Sequence, residues 1–138
     1  MDKDQLVLNR VMCKSCGKTI TSMHRHDYVV CECPNQTMVD GGRDYIRYGG
    51  KDMNLVHPSP VYLRDGFDVC RLAPIWGTYG KNRNSPFKWV SVSEMTTNHI
   101  HAIFKDQIKI SDLMKYLLET ELEYRKHNIY GTEPEELS

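Results

Sequence analysis

The sequence lacks a surplus of charge of either sign. Lys plus Arg number 18 and Asp plus Glu number 18 in 138 residues, so the formal net charge is zero and the pI is near 7.0. A protein held to nucleic acid by phosphate neutralisation usually carries a clear excess of Lys and Arg. The balance therefore argues against non-specific DNA binding unless charge is locally segregated. Long apolar runs are lacking as well: the longest covers only a few residues, against roughly 20 for a membrane-spanning helix. The opening Met1-Asp2-Lys3-Asp4-Gln5 is followed by only Leu6-Val7-Leu8, which predicts no secretory signal and no membrane partner. There is no Gly-x-x-x-x-Gly-Lys-Ser/Thr phosphate loop, internal repeat or low-complexity tract, so P-loop nucleotide binding is not indicated. What is present, 40% hydrophobic and 26% charged residues, predicts a soluble, cytoplasmic globular protein. A chain of this length can bury roughly two-thirds of its unfolded surface without help from disulfides.

Cysteine carries the strongest signal. Five are present, Cys13, Cys16, Cys31, Cys33 and Cys70, and an odd count argues against a secreted disulfide framework. Four of them form Cys13-x-x-Cys16 and Cys31-x-Cys33. Two short chelating loops of this kind supply the four donors of a tetrahedral zinc ion. Gly17 can take the positive φ that the first turn demands, and Pro34 fixes the exit from the second. The expectation is one structural Zn²⁺ held by Cys13, Cys16, Cys31 and Cys33. The intervening residues suit a hairpin pairing Thr19–Met23 with Asp27–Val30. Buried thiols, or a redox pair lacking the helix of a thioredoxin-like motif, are the competing readings. Cys70 stands alone and reads as a small buried hydrophobe.

Inside that hairpin lies His24-Arg25-His26-Asp27. Either histidine can replace a cysteine on zinc. With four thiolates available, His24, His26 and Arg25 are better read as neighbours of the metal site, with Lys14, Lys18 and Arg25 offsetting its negative charge. Asp27 orienting a histidine as general base is the catalytic alternative, and a solvated turn is the plainer one. Further on, Met38 and Val39 lead into Asp40-Gly41-Gly42 and an extended Tyr45-Ile46, which reads as a second hairpin. Asp40 and Asp44 flank the glycines without the ordered ligand series of a calcium loop.

Taken together, Cys-x-x-Cys-Gly, Arg25-His26-Asp27-Tyr28-Val29, Cys31-x-Cys33 and Val39-Asp40-Gly41-Gly42-x-Asp44-Tyr45-Ile46-Arg47 resemble a small zinc-ribbon family of uncharacterised proteins from tailed bacteriophages and prophages. The likeness covers about residues 10–48. It differs at Pro34, where the family pattern has Gly, and at Arg47-Tyr48, where the pattern tends to two basic residues. The resemblance implies metal binding, phage origin and an infected host's cytoplasm, and it supplies no activity.

Gly49-Gly50 and His57-Pro58-Ser59-Pro60 read as a connector. The predicted organisation is a ribbon at 1–50, a connector at 51–62 and an α+β region at 63–138. In the last, Val61–Leu63 and Phe67–Leu72 read as strands joined by a turn, and Phe87–Val92 as another strand. Between them, Ile75 to Pro86 begins with aromatics and ends in a basic Gly/Asn-rich loop. Trp76 and Tyr79 could stack on bases while Lys81, Arg83 and Lys88 meet phosphate; the alternative is a polar loop with its aromatics tucked inward. Thr96 or Thr97 caps a short helix bearing Ile100, Ile103 and Phe104, and Ser111 caps a longer one from about Asp112 to Asn128. His99 and His101 fall on different faces of the first helix and cannot form a metal pair. Trp89-Val90-x-Val92-Ser93-x-Met95-Thr96-x-x-His99-Ile100 and Glu121-Leu122-x-Tyr124-Arg125 again resemble phage proteins of unknown function.

The expected fold class is α+β: an N-terminal zinc ribbon of short antiparallel strands, then a small β segment and two C-terminal helices. The expected function is non-catalytic, because four cysteines leave zinc no open position for chemistry. The anticipated partner is a protein engaged through Trp76, Tyr79, Lys81 and Arg83, with nucleic-acid recognition as the alternative.

Overall fold

The computed structural model describes residues 2–80, 84–106 and 108–127. The chain forms two compact units, Met1–Gly66 and Phe67–Ser138, and its class is α+β, with antiparallel strands first and helices last.

The first unit is organised by a strand with no turn signal of its own. β1 (Leu6–Cys13) buries Leu6, Val7, Leu8, Val11 and Cys13. On one edge it pairs antiparallel with β2 (Thr19–Ser22), Asn9 opposite Ser22 and Met12 opposite Thr19. β3 (Val29–Val30), β4 (Met38–Asp40) and β5 (Arg47–Gly49) form a second antiparallel sheet in that order. The Thr19–Met23 and Asp27–Val30 segments therefore do not pair with each other; each goes to a different sheet. The turn between them is nevertheless real: Asp27 Oδ2 accepts from the Met23 N–H at 2.8 Å and Ser22 Oγ donates to the Asp27 carbonyl at 2.7 Å. The Asp-Gly-Gly hairpin forms with Asp40 opposite Arg47, two residues later than Tyr45.

The connector expected at 51–62 is instead part of the first unit. β6 (Val56–Pro58) and β7 (Val61–Tyr62) both pair antiparallel with β1, placing Val56 opposite Cys13 and Val61 opposite Leu8. Pro58 and Pro60 are tolerated because proline, which has no N–H to give, is accepted at strand ends and on sheet edges.

In the second unit, Phe67–Leu72 is not a strand. Phe67–Cys70 is a single helical turn, α1, in which the Arg71 N–H bonds the Phe67 carbonyl at 2.9 Å. Gly66, at φ +98°, redirects the chain just before it. Cys70 is 1% exposed, in keeping with its reading as a buried hydrophobe. β8 (Pro74–Thr78) and β9 (Lys88–Ser91) form an antiparallel pair. α2 (Thr97–Lys105) is capped by Thr96, whose Oγ1 accepts from the His99 N–H at 3.0 Å. α3 (Asp112–His127) begins with the Ser111 hydroxyl accepting from the Met114 N–H at 3.1 Å. Ile100, Ile103, Leu117 and Leu118 are almost wholly buried. At roughly 1.5–3 kcal/mol for each such side chain, they are a large part of what holds the helices.

Candidate metal centre

β1 delivers Cys13 at its buried end, and the turn that follows supplies Cys16. The turn is closed by the Gly17 N–H on the Cys13 carbonyl at 2.7 Å and by the Cys13 N–H on the Lys18 carbonyl at 2.8 Å. Gly17 takes φ +76°, which a residue bearing Cβ adopts only at a cost. The second loop is a β-turn with Pro34 in the position that favours proline, the Gln36 N–H bonding the Cys33 carbonyl at 3.0 Å. The Cys31 N–H then reaches the Thr37 carbonyl at 2.7 Å. Pro34 therefore builds the second turn.

The four sulfurs lie within 4.8 Å of one another. Cys13 Sγ is 3.3 Å from Cys33 Sγ, and Cys16 Sγ is 3.1 Å from Cys31 Sγ, so each contact joins one loop to the other. A tetrahedral ion with bonds of about 2.3 Å separates its sulfurs by about 3.8 Å. The observed spacings bracket that value, and shifts of about 0.5–1 Å bring the sulfurs to it, so the four residues fit a single metal ion. Cys13 and Cys31 are buried, Cys33 is half-buried and Cys16 is exposed, placing the cluster at the rim of its unit. Among the described residues, the cluster contains no imidazole or carboxylate.

The sulfurs are electrostatically unequal. The Thr37 hydroxyl, helped by the N–H groups of Cys16 and Ser15, holds the Cys13 thiol down to about 6. Cys31 is pushed up to about 12, chiefly by its hydrogen bond with Cys16. Thr37 is fully buried, and Asn35 Nδ2 donates to its Oγ1 at 2.8 Å. Thr37 thus passes its own proton toward Cys13 while its lone pair is occupied by Asn35. Sequence reasoning missed both residues, because nothing in Asn35-Gln36-Thr37 beyond closeness to Cys33 marks them.

The residues expected as companions of the metal have partners of their own within the chain. His24 is exposed, with Nδ1 3.3 Å from the Arg25 carbonyl and Nε2 4.0 Å from Asp27 Oδ2. His26 Nδ1 is 2.9 Å from Tyr45 Oη, which donates to Asp40 Oδ2 at 3.3 Å. Arg47 Nη2 also donates to Asp40 Oδ2, at 2.8 Å. Arg25 faces Tyr45 electrostatically. Beneath, Asn9 Nδ2 holds the carbonyls of Asp40 and Tyr45 at 3.0 and 3.1 Å. The Arg25-His26-Asp27 and Asp40-to-Arg47 motifs therefore converge on one polar junction between two turns. Gly42 sits there at φ +54°, where an added Cβ would collide with the His24 backbone.

Of the surface residues expected in the second unit, Lys81 and Arg83 lie outside the described residues. Trp76 is half-buried, stands opposite Val90 and meets the His99 ring edge-on at 6.0 Å. Tyr79 is 55% exposed and packs edge-on against Phe87 at 5.1 Å, which in turn packs against Trp89 at 5.2 Å. Phe87 and Trp89 were not singled out from sequence, although their one-residue spacing mirrors that of Gly77 and Tyr79.

Fold and site together define an α+β protein with a four-cysteine cluster fitted to one metal ion. Residues 5–50, which contain the cluster and the polar junction, match the family model described as "Domain of unknown function (DUF7695)". No curated protein and no solved structure matches the chain.

Proposed function

We propose that the protein is a zinc-stabilised, non-catalytic binding protein that engages a macromolecular partner. The observation that carries the metal reading is the approach of four cysteine sulfurs to within 4.8 Å. An all-sulfur tetrahedral donor set suits zinc or iron. Four thiolates fill the coordination shell of zinc and leave no position for a reacting water, which supports a structural role. The resemblance of the cysteine, Arg-His-Asp and Asp-Gly-Gly motifs to phage proteins supports an origin in a phage and action in the cytoplasm of its host. The exposed aromatic side chains of the second unit supply the binding surface.

Elemental analysis of the purified chain tests the first half: one zinc per chain is expected, and a metal-free folded protein contradicts it. A pull-down with and without nuclease tests the second half, and repeating it with Tyr79→Ala ties any partner to the hairpin. A wild-type chain that retrieves no partner under either condition is not a binding protein.

A further inference from the structure

Resting on the binding reading above, we infer that the outer face of the β8–β9 hairpin is a stacking platform for single-stranded nucleic acid. Register builds the face. Gly77 stands opposite Trp89, while Trp76 stands opposite Val90, so Gly77 and Trp89 share the side turned away from Trp76. Tyr79, just past the end of β8, and Phe87, just before β9, each two residues from Gly77 or Trp89, continue that side through their ring contacts. The Tyr79 carbonyl accepts from the Ser85 N–H at 2.9 Å, and the Gly80 N–H bonds Thr78 Oγ1 at 3.0 Å, holding the chain where it leaves β8.

The three rings form an unbroken row, with centroids 5.1 and 5.2 Å apart. Gly77 is its floor: a Cβ there would lie 2.6 Å from Phe87 Cζ and 3.2 Å from Trp89 Cζ3. The rings can lie down across the strand only because that atom is missing. Even so they remain 55%, 47% and 39% exposed at Tyr79, Phe87 and Trp89. A ring row held rigid yet open to solvent matches what unpaired bases need, since every base has a π-face to stack.

Charge selects a polyanion over an apolar protein surface. The whole chain is neutral, but from Val69 to Ser93 the sequence holds Arg71, Lys81, Arg83 and Lys88 and no Asp or Glu. Arg71 is spent on Glu121; the other three surround the aromatics in sequence. The segment around the row also carries Gly77, Gly80, Asn84 and Ser85, with Lys88 between Phe87 and Trp89. Duplex DNA keeps its bases stacked on one another and cannot use the rings, so the occupant is single-stranded.

The test is a fluorescence-anisotropy titration of the zinc-loaded full chain with labelled oligothymidylate and with a duplex of equal length. The single strand should bind more tightly than the duplex. Its affinity should fall as salt rises. Tyr79→Ala and Trp89→Ala should each weaken binding on the order of tenfold or more, with circular dichroism unchanged. Tryptophan emission of the wild type should be quenched by the oligonucleotide. Trp89→Phe should keep most of the affinity and lose most of the quenching, a readout independent of any alanine variant. No binding, no preference for the single strand, or full affinity in Tyr79→Ala would overturn the inference. If a partner retrieved through Tyr79 survives nuclease while oligonucleotides fail to bind, the platform recognises protein: the nucleic-acid inference falls and the binding reading stands.

Discussion

Arg125 Nε closes on Glu121 Oε2 at 2.7 Å, one helical turn away along α3, with the two side chains 7% and 0% exposed. A buried carboxylate with a single cation would be poorly compensated, and Glu121 has a second. Arg71 grips both its oxygens, Nε on Oε1 at 2.8 Å and Nη2 on Oε2 at 2.9 Å, and lies 4.3 Å from the Tyr124 ring centroid. Arg125 uses its remaining donors on the carbonyls of Val92 and Met95 and on Thr97 Oγ1. One guanidinium thus ties α3 to the start of α2 and to the turn before it. This accounts for the Met95-Thr96 and Glu121-x-x-Tyr124-Arg125 pieces of sequence as a structural lock, with no chemistry required of them.

Removing Glu121 should therefore be costly. Glu121→Ala leaves two largely buried guanidinium groups facing each other, and breaking a buried charge network from one side costs about 3–5 kcal/mol. Urea unfolding followed by far-UV circular dichroism measures it. A loss below about 1 kcal/mol would mean that water reaches the network in solution.

The metal loops give a graded pair of variants. Cys16→Ser removes an exposed donor and should abolish stoichiometric zinc retention, leaving α2 and α3 helical because their lock and core lie in the second unit. Thr37→Val keeps all four sulfurs but deletes the hydroxyl that stabilises the Cys13 thiolate. Loss of such a supporting hydrogen bond should lower zinc affinity about 10- to 100-fold. Competition with a chromophoric chelator reads both; unchanged affinity in Thr37→Val would remove Thr37 from the account.

The four cysteines and the capped helices were legible in the sequence because each depends on local spacing: two chelating loops, Thr96 before α2, Ser111 before α3. β1 was not legible, since Leu6-Val7-Leu8-Asn9 is buried on both faces and shows no alternation. The prolines at 58 and 60 misled for the opposite reason, a breaker signal at a sheet edge where breaking costs little. His26 offered metal-ligand chemistry, and only tertiary structure could reveal that Tyr45, 19 residues on, claims its Nδ1. Nothing local marks Glu121 as buried, because its two cations come from one turn along α3 and from a segment 50 residues earlier.

The polar junction predicts a tautomer for His26. Tyr45 donates its hydroxyl proton to Asp40, and that interaction, after partial desolvation, raises the tyrosine above its ordinary range. With that proton given to Asp40, Tyr45 Oη accepts from His26, so the expected form of His26 carries its proton on Nδ1. Long-range ¹⁵N correlation spectra should show this Nδ1–H form, and Tyr45→Phe should release His26 to the ordinary mixture. A dominant Nε2–H form in the wild type would reverse the direction of the chain.

His99 sets an acid limit on the second unit. Partial burial, with the Trp76 ring against it, disfavours the imidazolium and lowers its pKa below 6.5. An unfolded chain then binds this proton at higher pH than the folded one, so the neutral ring's contribution is complete above about 6.5 and declines as pH falls through that value. Imidazole chemical shifts followed against pH should show His99 titrating below 6.5. Trp76→Ala, by uncovering the ring, should move the midpoint upward toward 6.5. A wild-type His99 midpoint at or above 6.5 would mean that the ring is open to water and that Trp76 does not cover it.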